Sequence, residues 1–244
     1  MSLTVPMKTK PAFDHNTIGR DSIVRPAYTS ANIGQAGSVQ PTVQRSAPVM
    51  NPVQRNIPAV PAMPSGSTLL SRGQKFTIKN AEKLKLLLNW EVMDSRCDLD
   101  ASAFLLGNTD RVPAEEWFVF YGQPESPDKS VRYSGNSGTG AEIEIQLSGV
   151  SSQIQKIAFA VTIYEAMAQN LHFGMVRNVS ARLINAQNQV ELARMELTDT
   201  VQGITALVVG ELYRYKGEWK FNAVGSGVKR DLAGFCAMYG IETG

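Results

Sequence analysis

The stretch CDLDASAFLL, Cys97 to Leu106, places two carboxylates directly in front of an apolar run. In an extended backbone successive side chains alternate between faces, so Asp98 and Asp100 point to one side and Leu99 to the other. Two like charges on one face repel unless a cation or several hydrogen-bond donors lie beside them. The stretch therefore predicts a strand that starts at a hard-cation site. The alternative is a strand entrance whose aspartates accept backbone N–H groups and protect the edge.

The other chemical signals in the sequence are weak. Counting from Asp94, Asp98 or Asp100 finds neither the Gly nor the Glu that an EF-hand loop requires. The two cysteines and two histidines lack zinc-ligand spacing, and no G-x-S-x-G elbow accompanies His172. The Gly-rich loop Ser134 to Gly140 runs into a strand pattern instead of a helix, which disfavours phosphate binding. We therefore predict a protein that is not an enzyme.

The region after Ser71 has the texture of an all-β protein, with short apolar or alternating runs that end at turn residues. Glu142 to Leu147 (EIEIQL) alternates strictly, and Lys156 to Ile163 (KIAFAVTI) is typical of a central strand buried on both faces. Lys216-Gly217 has the spacing of a tight hairpin turn. Asp231 to Gly240 predicts a capped amphipathic helix. These patterns predict a two-sheet β-sandwich over residues 69–244 with a C-terminal helix.

The first 68 residues differ in composition from the rest. Nine of the twelve prolines lie in residues 1–64, and residues 1–68 carry six Lys/Arg against two Asp, a net charge of +4. Subtraction from the chain totals leaves eighteen basic and twenty acidic residues, a net charge of −2, for residues 69–244. We predict that residues 1–68 form a disordered, Pro-rich, basic tail, because their isolated apolar residues make no face to bury.

Four motifs carry a resemblance to a known family. DLDASAFLL (98–106), AFAVTIYEA (158–166), GELYRYKGEWKFNAVGSG (210–227) and LAGFCAMYGI (232–241) together resemble the TerD family of tellurium-resistance and stress-response proteins. The resemblance covers Ser71 to Ile241 and implies a TerD-type sandwich, here in a divergent member with an N-terminal extension.

The resemblance also implies a calcium site built from the DLDAS strand and an acidic loop. This chain matches the strand with Asp98 and Asp100, but Asn136 replaces an aspartate of the loop and the acidic run that follows is missing. Calcium prefers six to eight oxygen ligands, and affinity falls as carboxylates are removed. We therefore predict a weakened or lost calcium site made of Asp98, Asp100, Asn136 and Glu142, with Asp94 as a more distant candidate.

The function implied by the resemblance is a non-enzymatic module for stress response or tellurite resistance. It would act in the cytoplasm through protein partners, including a membrane-associated resistance complex, with at most peripheral membrane contact. One alternative is a calcium-switched binding protein, and another is a scaffold that recruits partners through its tail. We predict no nucleic-acid partner, because lysines and arginines are scattered along the sequence without an aromatic-basic stripe. Without an apolar run of eighteen residues, no transmembrane helix is expected.

Overall fold

The computed structural model describes residues 66–198 and 203–242. Residues 1–65 of the tail predicted to be disordered (1–68) lie outside the described residues, whereas residues 66–68 are described and a strand already begins at Thr68. The strands are β1 (Thr68–Leu69), β2 (Lys75–Thr77), β3 (Lys83–Val92), β4 (Leu99–Leu106), β5 (Phe118–Val119), β6 (Val131–Asn136), β7 (Gly140–Gln146), β8 (Lys156–Ile163), β9 (Val176–Asn185), β10 (Val190–Glu196), β11 (Ala206–Tyr215), β12 (Glu218–Asn222) and β13 (Ser226–Val228). The helices are α1 (Ala166–Gln169) and α2 (Leu232–Met238), with 3-10 turns at Glu115–Trp117, Leu147–Gly149 and Phe173–Met175.

The strands form two sheets, which confirms the predicted sandwich. Sheet A has the order β1-β10-β9-β3-β7-β6, and sheet B has the order β2-β12-β11-β8-β4-β5 with β13 paired to β11. All neighbours are antiparallel except β1, which runs parallel to β10. Of the strands at the edges of the two sheets, β1, β2 and β5 are only two or three residues long, which limits their use as templates for aggregation, and β6 has six residues.

Alternation of side chains along the strands builds the core between the sheets. In β3 the buried face consists of Leu84, Leu86, Leu88 and Trp90. In β7 the buried residues include Ile143 and Ile145, as the EIEIQL pattern predicts. β8 is buried along almost its whole length because β4 and β11 flank it and both of its faces are covered. The prediction of a central strand is therefore confirmed.

Helix α2 covers part of the outer face of sheet B. Its N-terminal cap is Asp231, whose side chain accepts a hydrogen bond from the Gly234 backbone N–H, as predicted. The buried ring of Phe104 in β4 lies 4.5 Å from the Tyr239 ring and 6.3 Å from the Phe235 ring. Because side chains alternate along β4, the residues with even numbers, including Asp100, share the outer face on which Phe104 meets α2.

One local prediction is confirmed, and two connecting segments contain short helical turns. Before β5 lies the 3-10 turn Glu115–Trp117, and β5 ends after two residues because Phe120 turns back to pair with Gln123. The polar segment after β8 contains the short helix α1. The hairpin turn at Lys216-Gly217 is confirmed, with φ of 51° and 82°. No described helix is long and apolar enough to cross a membrane.

Candidate functional site

Three loops meet at the end of the sandwich where β4 begins. Their residues are 93–98, 136–139 and 164–175, and we call this region the aspartate end. The Met93 N–H donates to the Met175 carbonyl over 2.9 Å, and the Tyr164 N–H donates to the Asp98 carbonyl over 2.8 Å. The Trp90 indole N–H donates to the Gly138 carbonyl at 3.1 Å, which fastens the middle loop. Backbone hydrogen bonds therefore hold loops 93–98 and 164–175 together, and the Trp90 side chain of β3 holds loop 136–139.

The two aspartates occupy this end with different degrees of exposure. Asp98 lies just before β4 and is half-buried, whereas Asp100 lies inside β4 and is 7% exposed. Asp100 stands opposite Thr162 of β8 in the register. Burial, followed by the charges of Asp100 and Asp98, raises the pKa of the Tyr133 phenol. The pKa of the Tyr164 phenol is raised by burial, then by the neighbouring Glu165, and least by the two aspartates. This end is therefore a region of negative potential with two tyrosines beside it.

Asn136 acts as a fastener between the two sheets. Its Nδ2 donates to the Leu99 carbonyl at 2.6 Å, and its Oδ1 accepts from the Gly138 backbone N–H at 2.8 Å. Leu99 lies between the two aspartates in the sequence, so this hydrogen bond brings Asn136 to the start of β4. Both polar atoms of the amide are already engaged within the protein.

Glu142 lies apart from the aspartate end. It is on β7 between the buried residues Ala141 and Ile143, so its side chain projects from the outer face of sheet A. Its Oε1 is 2.7 Å from Lys85 Nζ, and the Glu144 Oε1 is 3.6 Å from the same ammonium group. The predicted ligand is therefore engaged in an ion pair on the opposite sheet from Asp98 and Asp100.

Three further candidate groups have local partners. Arg96 holds the Asp94 carboxylate through its Nε and Nη2, the latter at 2.6 Å, and this lowers the pKa of Asp94 to about 2. The Nδ1 of His172 accepts a hydrogen bond from the Gly174 backbone N–H. Cys97 is buried, and burial followed by the charge of Asp94 raises the pKa of its thiol. None of these groups extends the pair of aspartates.

The donor set meets the needs of calcium only in part. Asp98 and Asp100 supply two carboxylates, the Asn136 amide donates to the Leu99 carbonyl, and the Glu142 carboxylate pairs with Lys85. Across residues 66–198 and 203–242, no three side chains of His, Cys, Asp or Glu come together as a metal-binding group. The Ser102 hydroxyl, two residues beyond Asp100 on the same strand face, is buried without a hydrogen-bond partner among the described residues. Calcium binding by this chain therefore stays a prediction.

The sequence pattern missed several residues of the aspartate end. Met93 and Met167 are 52% and 59% exposed, and they stand on two of the converging loops. Tyr133 comes from β6 and Tyr164 follows β8. No spacing within the sequence links these four residues to Asp98, because they come together only when the loops close over the end of the sandwich.

Comparisons with known proteins agree with this architecture. The family model described as TerD domain matches residues 67–239. The "Tellurium resistance protein TerD" of Serratia marcescens is 42% identical over 189 residues, covering 72% of this chain and 98% of that protein. The "General stress protein 16U" of Bacillus subtilis (strain 168) is 36% identical, with the same coverage of both chains.

Solved structures share the fold. The crystal structure of a protein of unknown function superimposes with a TM-score of 0.54 and 26% identity, covering 67% of this chain and 100% of the other. A homologue of telluride resistance protein (TerD) from Streptomyces coelicolor A3(2) gives a TM-score of 0.52 at 22% identity, covering 64% of this chain and 95% of the other. These likenesses support the assignment of the two-sheet sandwich.

Proposed function

This chain belongs to the TerD family, and from that premise we propose that it is a non-enzymatic binding module of a stress or tellurite-resistance response that acts through protein partners. The relatives with the highest identity quoted above are named for tellurium resistance and general stress. We place its action in the cytoplasm, on partners that include proteins of a membrane-associated resistance complex.

The observation that carries the proposal is the exposed apolar surface at the aspartate end. Met93 and Met167 are more than half exposed, although the loops that bear them are fixed by backbone hydrogen bonds. Methionine side chains are flexible and polarisable, and proteins use them on surfaces that accept partners. The surface combines these thioethers with the negative charges of Asp98 and Asp100. A partner with apolar and basic side chains therefore suits it.

A resistance assay tests the proposal. The wild-type chain and the double variant Met93→Ser, Met167→Ser would be expressed in a tellurite-sensitive strain that lacks its own TerD-family gene. We expect the wild type to restore growth on tellurite and the double variant to restore much less, because the apolar contacts to the partner are lost. Met238→Ser is the matched control, since Met238 is 41% exposed but lies on α2. Equal loss in the control, or full rescue by the double variant, contradicts a docking role for this end.

A second candidate is a calcium-switched binder. The closeness of Asp98 and Asp100 to the same two tyrosines favours it, because two carboxylates on one side attract a hard cation. Isothermal titration with calcium would show saturable heat for the wild type and none for Asp100→Ala. A flat titration of the wild type up to millimolar calcium removes this candidate.

A third candidate is a scaffold whose N-terminal region recruits a partner. Alignment with the Serratia marcescens relative spans 98% of that protein but 72% of this chain, so this chain has residues without a counterpart there. Removal of residues 1–65 would then abolish a pull-down interaction and leave the melting temperature of the sandwich nearly unchanged. Unchanged recovery of the partner by the shortened chain excludes this candidate.

A further inference from the structure

The outer face of sheet B carries a group of tyrosines and lysines at the side away from α2. Tyr213 and Tyr215 lie two residues apart on β11 and therefore point to the same face. Lys220 of β12 stands opposite Tyr213, and Lys75 of β2 stands opposite Asn222 in the same sheet. With Lys216 of the hairpin turn, these five residues form what we call the Tyr-Lys face.

The orientation of this face follows from the register. Phe76 and Phe221 stand opposite each other, and the nearly complete burial of Phe221 shows that this pair points into the core. The neighbours Lys75 and Lys220 therefore point outward. Four of the five residues lie within residues 213–220 of the β11–β12 hairpin, and the pairing of β12 with β2 adds Lys75 from a distant part of the sequence.

The lysines of the face are packed on an exposed tyrosine. Tyr215 is 47% exposed, and its ring centroid lies 4.5 Å from Lys220 Nζ and 5.4 Å from Lys216 Nζ. Within the described part of the chain, no ion pair is formed by the ammonium groups of Lys75, Lys216 and Lys220.

Nearby carboxylates lower the positive charge of the face only in part. Lys156, opposite Tyr213, forms ion pairs with Asp110 at 2.7 Å and with Glu211 at 3.8 Å. Its charge is therefore not included in the positive charge of the face. Glu218, opposite Tyr215, is an exposed carboxylate of the same hairpin. The charges of Lys75, Lys216 and Lys220 exceed it, and a net positive surface remains.

We propose that the Tyr-Lys face is a docking surface for an anionic phospholipid bilayer. Lysine ammonium groups near an anionic membrane surface are attracted to its headgroups, and tyrosine is favoured where an apolar ring meets a wet interface. The face lies on a sheet surface and ends at the exposed turn of the β11–β12 hairpin, where Lys216 is open to solvent. The proposal does not depend on the function proposed above.

The ring geometry favours lipid over single-stranded nucleic acid. Bases bind sheet surfaces by stacking on open aromatic faces. Here two ammonium groups lie over the ring of Tyr215, so a base would have to displace them, whereas headgroup phosphates can be met by the same ammonium groups in place. Because each lysine contributes about a fivefold gain in membrane partitioning, three of them give weak, reversible binding that depends on salt.

The test is co-sedimentation of the full chain with vesicles of phosphatidylserine and phosphatidylcholine, and with vesicles of phosphatidylcholine alone. The variant is Lys216→Asn with Lys220→Gln; asparagine is chosen because residue 216 has a φ of 51°. We expect binding only to the anionic vesicles and a loss of about 25-fold in partitioning for the double variant, about fivefold for each lysine. Equal melting temperatures would establish that the variant is folded.

A matched control is the double variant Lys83→Gln, Lys129→Asn, which removes the same charge from exposed lysines outside the face; asparagine is again used because residue 129 has a φ of 57°. We expect it to bind within about twofold of the wild type, since the charge of the Tyr-Lys face is unchanged. An equal loss in this control, or no binding of the wild type, overturns the proposal.

Release of the protein by soluble glycerophosphoserine would assign the face to a free phosphate ligand. Binding to a single-stranded oligonucleotide that the face variant abolishes would assign it to nucleic acid. Either result overturns the proposal that the face binds a lipid bilayer.

Discussion

Asp128 shows how one side chain secures two loops that the strands leave open. Its Oδ1 accepts hydrogen bonds from Ser126 Oγ, Ser130 Oγ and the Ser130 N–H, and its Oδ2 accepts from the Ser151 N–H at 2.8 Å. The residue thereby joins the loop before β6 to the turn before β8. Burial alone would raise the pKa of the Asp128 carboxyl, but these hydrogen bonds outweigh it and hold the pKa below its usual value.

The lowered pKa predicts a stability that depends on pH. The unfolded carboxyl titrates near pH 3.9, so its stabilising effect is complete above that value and is lost as pH falls through the lower folded pKa. We expect Asp128→Asn to cost about 2 kcal/mol at neutral pH and to flatten the loss of stability below about pH 4. Urea denaturation at neutral pH and below about pH 4 measures the free energy of unfolding of both proteins. Glu116→Gln, at an exposed position, should behave as the wild type; the same acid profile in Asp128→Asn would refute this role.

Asn136 is the residue at which the predicted calcium site can be restored or dismissed. In Asn136→Asp the Nδ2 donor to Leu99 is lost and a third carboxylate lies near Asp98 and Asp100. We expect a loss of about 2 kcal/mol without cations, because the new charge is repelled, and partial recovery in millimolar calcium. Thermal unfolding with and without calcium measures both. Asn136→Ala loses both side-chain hydrogen bonds of Asn136 and adds no charge, so calcium should leave its melting temperature unchanged. No recovery in Asn136→Asp contradicts a cation site.

At the scale of elements, the pairing of β3 with β7 joins the aspartate end to sheet A. Gly140 begins β7 opposite Asn89, and a Cβ at that position would press against the Leu88 carbonyl oxygen and approach the Asn89 Cα at 3.4 Å. Glycine is needed here because backbone lies where a side chain would go. Because glycine at residue 140 allows β7 to pair with β3 from its first residue, the loop 136–139 that precedes β7 is held in position.

We expect Gly140→Ala to destabilise the protein by about 1–3 kcal/mol, since neither strand can move without breaking ladder hydrogen bonds. Chemical denaturation gives the free energy of unfolding. Gly149→Ala is the matched substitution, because the nearest atom to its Cβ would be 3.6 Å away, in ordinary contact; its effect should stay within about 0.5 kcal/mol. Similar values for the two variants would show that the close approach at Gly140 has no energetic cost.

On the scale of the whole molecule, the sandwich begins slightly before the predicted boundary at residue 69. Ser67 Oγ donates to Glu191 Oε1 at 2.6 Å, and Glu191 also holds Arg182 Nε at 2.6 Å. β1 pairs with β10, and the buried Leu70 donates its N–H to the Arg194 carbonyl. These contacts close the edge of sheet A, and the segment then crosses to begin sheet B at β2.

Two shortened chains test this boundary. A chain that starts at Gly66 retains Ser67, β1 and Leu70, whereas a chain that starts at Ser71 loses them. We expect the second to be less stable than the first by about 3 kcal/mol, chiefly because the buried leucine is removed. Thermal unfolding of both chains measures the difference. Equal melting temperatures would show that residues 66–70 do not contribute to the stability of the sandwich.

The sequence by itself determined the class of fold, the central position of β8, the hairpin turn at Lys216-Gly217 and the cap of α2. Each of these follows from short-range rules, namely the alternation of side chains, the φ preferences of turn residues and local hydrogen bonding. Tertiary structure alone decided that Asn136 fastens Leu99, that Glu142 pairs with Lys85, and that Lys75 joins Tyr215 on one face. The physical reason is that pairing between strands sets which distant residues become neighbours, and a linear pattern shows on which face a residue lies but not what lies beside it.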